Sequence, residues 1–81
     1  MIKQHPDILD YYDRAVSIMI AEKYGYTLMD ALRQFVASKT HGMLEDAEYG
    51  MTMFGAPAIF DIWEAERVTG DPRASIYIRG E

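Results

Sequence analysis

The chain contains no cysteine. That excludes disulfides, thiolate metal sites and cysteine nucleophiles together, and it suits a reducing compartment. Its glycines stand singly, so no phosphate-cradling glycine loop can be assembled from them. Long hydrophobic runs are missing as well. The longest spans residues 15–21 and is interrupted by Ser17, whereas a bilayer-spanning helix needs about 20 apolar residues. The opening residues bring no apolar stretch after Lys3, so no secretory leader is expected. These absences predict a soluble, cytoplasmic protein. The last gap is electrostatic. Residues 40–66 hold no Lys or Arg but six acids, Glu45, Asp46, Glu48, Asp61, Glu64 and Glu66, and the net charge is −5. Such a stretch repels a phosphate backbone, which speaks against nucleic acid as a partner. It either keeps a small protein soluble or attracts a basic protein.

What the chain does have is helical periodicity. At 81 residues it is one domain, of a size that buries only about 60% of its unfolded surface. Across residues 7–24, Ile8, Tyr12, Ala15, Val16, Met19 and Ile20 recur at steps of three and four, with Asp10, Asp13, Arg14 and Ser17 on the opposite face. Pro6 suits the start of that helix and Gly25 its end. A second helix begins at Thr27, which pairs with Asp30 in the manner of a capping box. Its apolar stripe is Leu28, Ala31, Leu32, Phe35 and Val36. Only Gly25 and Tyr26 separate the two helices, so they should pack as neighbours. A short third helix over 41–48 follows Thr40 as its cap. A fourth starts near Pro57 and stops before Gly70, with Ile59, Phe60, Ile62 and Trp63 inward and Asp61 and Glu64 toward solvent. A DNA-reading helix pair is poorly served here, because the second helix offers only Arg33 and Lys39 as bases.

Two segments are not helical in pattern. Met51, Thr52, Met53 and Phe54 lie between Gly50 and Gly55, which predicts a loop or a very short strand. Large apolar residues in such a loop must cap the core or be covered by a partner. The chain then closes on Ser75, Ile76, Tyr77, Ile78 and Arg79, whose alternation has the period of a strand. A strand needs a hydrogen-bonding neighbour. Inside the chain the candidate is 51–54; outside it, a second chain, since edge strands recruit partners. The domain therefore divides into a helical part, 1–70, and an extended tail, 71–81.

Constellations with chemical potential are thin. His41 and Glu45, four apart and next to Asp46, share a helix face as a generic metal-ligating pair. The spacing matches no zinc signature, and a surface histidine beside a carboxylate is the simpler reading. Asp61, Glu64 and Glu66 could divide acid and base roles only if their environments separated their pKa values. Ser17, Ser38 and Ser75 have no histidine at catalytic spacing and no strained-turn motif. No cofactor is implied.

Tyr24, Gly25, Tyr26, Thr27, Leu28, Met29, Asp30, Ala31 and Leu32, with residues 35–40 and 59–66, make up about half of the chain. In these stretches it resembles a group of short, uncharacterised bacterial helical proteins. Some of that group are antitoxin-like partners encoded beside predicted toxin genes. The resemblance implies a small helical interaction protein and carries over no catalytic residue. The expected fold is mainly α: a compact domain of three or four helices with a strand-like C-terminal tail. The expected role is non-enzymatic binding of a protein partner through Met51, Met53, Phe54, Ile76, Tyr77, Ile78 and Arg79. Two alternatives stand beside it: a homodimer that exchanges tails, and a small metal-dependent enzyme using His41 and Glu45. Neither a membrane nor nucleic acid is an expected partner.

Overall fold

Proline and glycine punctuate the helices of this chain, and the structure, a computed structural model, describes residues 2–75. Helix α1, Pro6–Tyr24, opens on Pro6 at its first turn, with the His5 ring accepting from the Asp7 amide. It closes where Gly25 takes a positive φ of 72° and returns its amide to the Ala21 carbonyl. Helix α2, Leu28–Val36, is capped by Thr27, whose hydroxyl accepts from the Asp30 amide at 3.2 Å. Helix α3, Lys39–Glu45, follows after two residues. Helix α4, Ala56–Thr69, carries Pro57 in its first turn and ends on Gly70 at φ 83°. Short 3-10 turns fill the remaining connections, at Ala47–Tyr49, Met51–Met53 and Pro72–Ala74. The mainly helical fold expected from periodicity is what forms.

Helices α1 and α2 make the most extensive helix pair, and α4 packs across α1 and α3. Val16, Ile20, Phe35, Leu44, Ile59 and Ile62 are fully buried between them, with Tyr12 and Trp63 nearly so. Each such side chain contributes about 1.5–3 kcal/mol on burial. The Tyr12 hydroxyl reaches the carbonyls of Thr52 and Phe54, which ties the connection before α4 to α1. Burial, and to a lesser degree the neighbouring Tyr11, raises the Tyr12 pKa.

Four local features differ from expectation or go beyond it. The third helix starts at Lys39 rather than His41, because Ser38 is the cap: its hydroxyl accepts from the His41 amide at 3.1 Å. Thr40 is buried inside the helix instead. The first turn of α3 gains a further cap from α4. The Glu66 carboxylate accepts from the amides of Lys39 and Thr40 and from the Thr40 hydroxyl, at 2.7–2.9 Å. Second, of the loop or very short strand expected at 51–54 the loop forms, with Met51–Met53 as a 3-10 turn entered through Gly50 at φ 67°. Third, the one β-type bridge among the described residues joins Lys3 to Asp46, antiparallel, and no sequence pattern announces it. Its flanking bonds run from the Gln4 amide to the Glu45 carbonyl and from the Ala47 amide to the Ile2 carbonyl, both 2.7 Å. Fourth, the segment after Gly70 is not extended from the start: Pro72–Ala74 turns back on α4, and Pro72 and Ser75 are buried. The strand read at Ile76, Tyr77, Ile78 and Arg79 lies outside the described residues.

Candidate functional site

Alternate turns of α1 look toward different neighbours, and the most chemically varied contact is made by Asp13. Its carboxylate reaches across to α3, where Oδ1 lies 2.8 Å from His41 Nε2. The other ring nitrogen, Nδ1, lies 3.2 Å from Glu45 Oε1 on the next turn of α3. The imidazole is buried, and its ring meets Phe35 edge to face with centroids 5.2 Å apart. The surface histidine read from the sequence is thus an interior clamp between α1 and α3. His41 and Glu45 do come together as the helical spacing requires. However, a metal on His41 would need a ring lone pair, and each ring nitrogen already faces a carboxylate. Among the described residues, no three His, Asp or Glu side chains are disposed to hold a metal ion.

Beside Asp13 the surface opens into a cleft between α1 and α2. Asp10, Asp13, Arg14 and Ser17 form its α1 wall, Leu28 and Leu32 its α2 wall, around a volume of about 380 Å³. A second hollow of about 350 Å³ adjoins it along α2, lined by Leu32, Arg33, Val36 and Ala37. The apolar stripe of α2 is therefore wider than the surface that covers it. Ala31 and Phe35 are buried, but Leu28 remains 53% exposed and Val36 47%. Ser17 departs from expectation in the opposite sense. Read as part of the polar face, it is fully buried, because α2 packs over that side of α1. Its Oγ is, among the described residues, the buried side-chain oxygen without a hydrogen-bond partner.

The opposite end of α1 meets α4 in an aromatic cluster in which Trp63 is buried and Tyr24, Tyr26 and Phe60 are half-buried. Glu64, expected to face solvent, accepts from the Tyr24 hydroxyl at 2.6 Å and pairs with Lys23. Burial pushes its carboxyl up, but the hydrogen bonds from Lys23 and Tyr24 outweigh this and leave it below its ordinary value. The Arg67 guanidinium lies 4.3 Å from the Tyr24 ring centre and donates to the Tyr26 hydroxyl at 2.9 Å. That bond lowers the Tyr26 pKa. Tyr24 in turn meets Trp63 edge to face, at 5.9 Å. A further hollow, of about 300 Å³, carries Lys39, Tyr49 and Arg73, but Lys39 donates to the Gly70 carbonyl and Arg73 pairs with Asp71.

The residues proposed for partner contact separate. Met51 is a core residue, 2% exposed, so the loop does cap the core at that position. Phe54 is half-buried against the core, while Met53 stands 82% exposed. Ile76, Tyr77, Ile78 and Arg79 lie outside the described residues. Sequence reasoning missed Asp13 and Ser17, since both sit on what the α1 periodicity assigns to the polar face. The unequal burial of Leu28, Leu32 and Val36 was equally hidden, because amphipathic spacing states which side chains are apolar and not how much surface arrives to cover them. No family model, no curated protein and no solved structure matches this chain.

Proposed function

We propose that this chain is a non-enzymatic protein-interaction module of the cytoplasm that covers a basic partner, in the manner of an antitoxin. The observation that carries the reading is the uneven burial of large apolar side chains on regular elements. Leu28, Met29 and Val36 on α2, and Met53 before α4, stay about half or more in water, while core positions on the same elements are closed. Contiguous apolar exposure marks a contact surface, and Leu28 and Val36 line adjoining hollows on α2. The charge of −5 favours a basic partner and speeds its encounter. The chemistry inside the fold points the same way. His41 is committed on both nitrogens to carboxylates, and Lys23, Glu64 and Arg67 are engaged with one another's neighbours.

Site-specific photo-crosslinking in the native cell tests this. A benzoylphenylalanine at position 29 or 53 should yield a discrete protein adduct on irradiation. The same group at Glu22, an exposed polar position, should yield none. Absence of protein adducts from both apolar positions would overturn the reading.

A further inference from the structure

Leu32 lines both hollows along α2, so they lie end to end as a groove with Leu32 between its two halves. Leu28, Leu32 and Val36 stand along it at four-residue steps, over a helix of nine residues. Between the first and last of them the backbone rises about 12 Å, or roughly two helical turns. A row at that spacing is a ridge of the kind another helix packs against, and apolar anchors at such intervals are how grooves receive amphipathic helices. The ends of the groove differ. At Val36 it is apolar apart from Arg33, which is paired with Asp30 at 3.7 Å. At Leu28 it carries the carboxylates of Asp10 and Asp13, the latter held through Oδ1 by His41, beside the guanidinium of Arg14. The unpartnered Ser17 hydroxyl belongs to that same end.

We propose that this groove receives a basic amphipathic helix of a partner protein. Its apolar face would lie along Leu28, Leu32 and Val36, and a Lys or Arg would be directed at Asp10 and Asp13. The assignment deepens the interaction reading and rests on it. Charge selects the occupant. A second copy of this chain would bring its own −5 onto the first, and like net charges oppose association. A helix with lysine or arginine flanking its apolar face meets the opposite field at the Leu28 end.

The test uses the full chain, labelled with ¹⁵N, and two synthetic helical peptides of about 18 residues. Both carry leucines at helical spacing; one has lysine on its flanks and the other glutamate. The lysine peptide should shift the amide signals of Ser17, Leu28, Leu32 and Val36, and bind at least about tenfold more tightly than the glutamate peptide at low salt. The double variant Leu28→Ser with Val36→Ser should lose about tenfold or more in affinity while its circular dichroism stays unchanged. Asp10→Asn should narrow the gap between the two peptides. Equal binding of both peptides overturns the proposal, as does no binding, or shifts confined to α4. It also falls if the chain sediments as a dimer that the double variant converts to monomer, since the occupant is then a second copy. Crosslinked protein from position 53 alongside a silent groove leaves the interaction reading intact and removes only this assignment.

Discussion

Helix α1 is shared by two regions that treat polar and apolar groups in opposite ways. Toward α4, nearly every group has a partner. Glu64 holds Lys23 and Tyr24, Arg67 lies over Tyr24 and donates to Tyr26, and Trp63 closes the floor. Toward α2, Leu28 and Val36 remain half in water, and the Ser17 hydroxyl is buried without a hydrogen bond. One helix thus has a finished side and an unfinished side. A marginally stable small domain gains from closing one interface fully. The cleft that stays open beside the extensive α1–α2 contact is free to be covered by something else.

Breaking the finished side should have the largest effect. Trp63 is buried and meets Tyr24, Phe60 and Arg67. Trp63→Ala should destabilise the chain by about 3–5 kcal/mol, read from urea unfolding followed by circular dichroism because the only tryptophan is then gone. An undiminished unfolding midpoint would mean that the cluster is decoration rather than structure. Next comes the cap that α4 supplies to α3. Glu66→Ala removes the acceptor of three hydrogen bonds on Lys39 and Thr40. It should cost about 1–3 kcal/mol, part of it from the buried Thr40 hydroxyl left unpaired. Exchange of the Lys39 and Thr40 amides should quicken more than that of α1.

The same contrast explains what the sequence did and did not disclose. Helix boundaries at Gly25, Thr27 and Gly70 were legible, because capping is local and each residue acts within one turn. The third helix was misplaced by two residues because Ser38 and Thr40 are equally good caps on local grounds. Glu66, 26 positions away from Thr40, decides in favour of Ser38 by drawing Thr40 inside. His41 was legible only as a member of a pair with Glu45, since its contact with Asp13 spans 28 positions. The 3-10 turn at Met51–Met53 was read as loop or strand, because glycine brackets mark a change of direction without stating its kind. Ser17 and Leu28 were the least legible of all. Periodicity divides a helix into two faces, whereas α1 meets α4, α2 and, through Asp13, α3, as well as solvent.

A third prediction turns on pH. The carboxyl of Glu64 is pushed up by burial but held below its ordinary value by Lys23 and Tyr24. A group whose pKa is depressed by folding adds stability at pH above its unfolded value, and that contribution is lost as pH falls through the folded value. Stability should therefore decline on the acid side of the carboxylate range. Glu64→Gln should flatten this limb by removing the titrating group, at the expense of some stability at neutral pH. Urea midpoints of both proteins at about pH 7 and pH 3 give the comparison. Parallel acid limbs would show that Glu64 does not carry the dependence.

The smallest effects belong to the unfinished side, and there the sign is the informative part. Ser17→Ala removes a buried hydroxyl that has no partner in the fold. Nothing favourable is lost with it, so stability should rise, by about 1 kcal/mol or less. Leu28→Ser removes a side chain that is 53% exposed, and surface changes of this kind fall within about 0.5 kcal/mol of zero. Unfolding midpoints of the two variants, measured beside Trp63→Ala, sharpen the contrast between the sides of α1. A loss of 2 kcal/mol or more at Leu28, on the scale of a core truncation, would mean that α2 is already closed over its cleft and that the open interface does not exist. A rise at Ser17 with no change at Leu28 would show that the chain folds without help from this groove, which leaves Leu28, Leu32 and Val36 available to a partner.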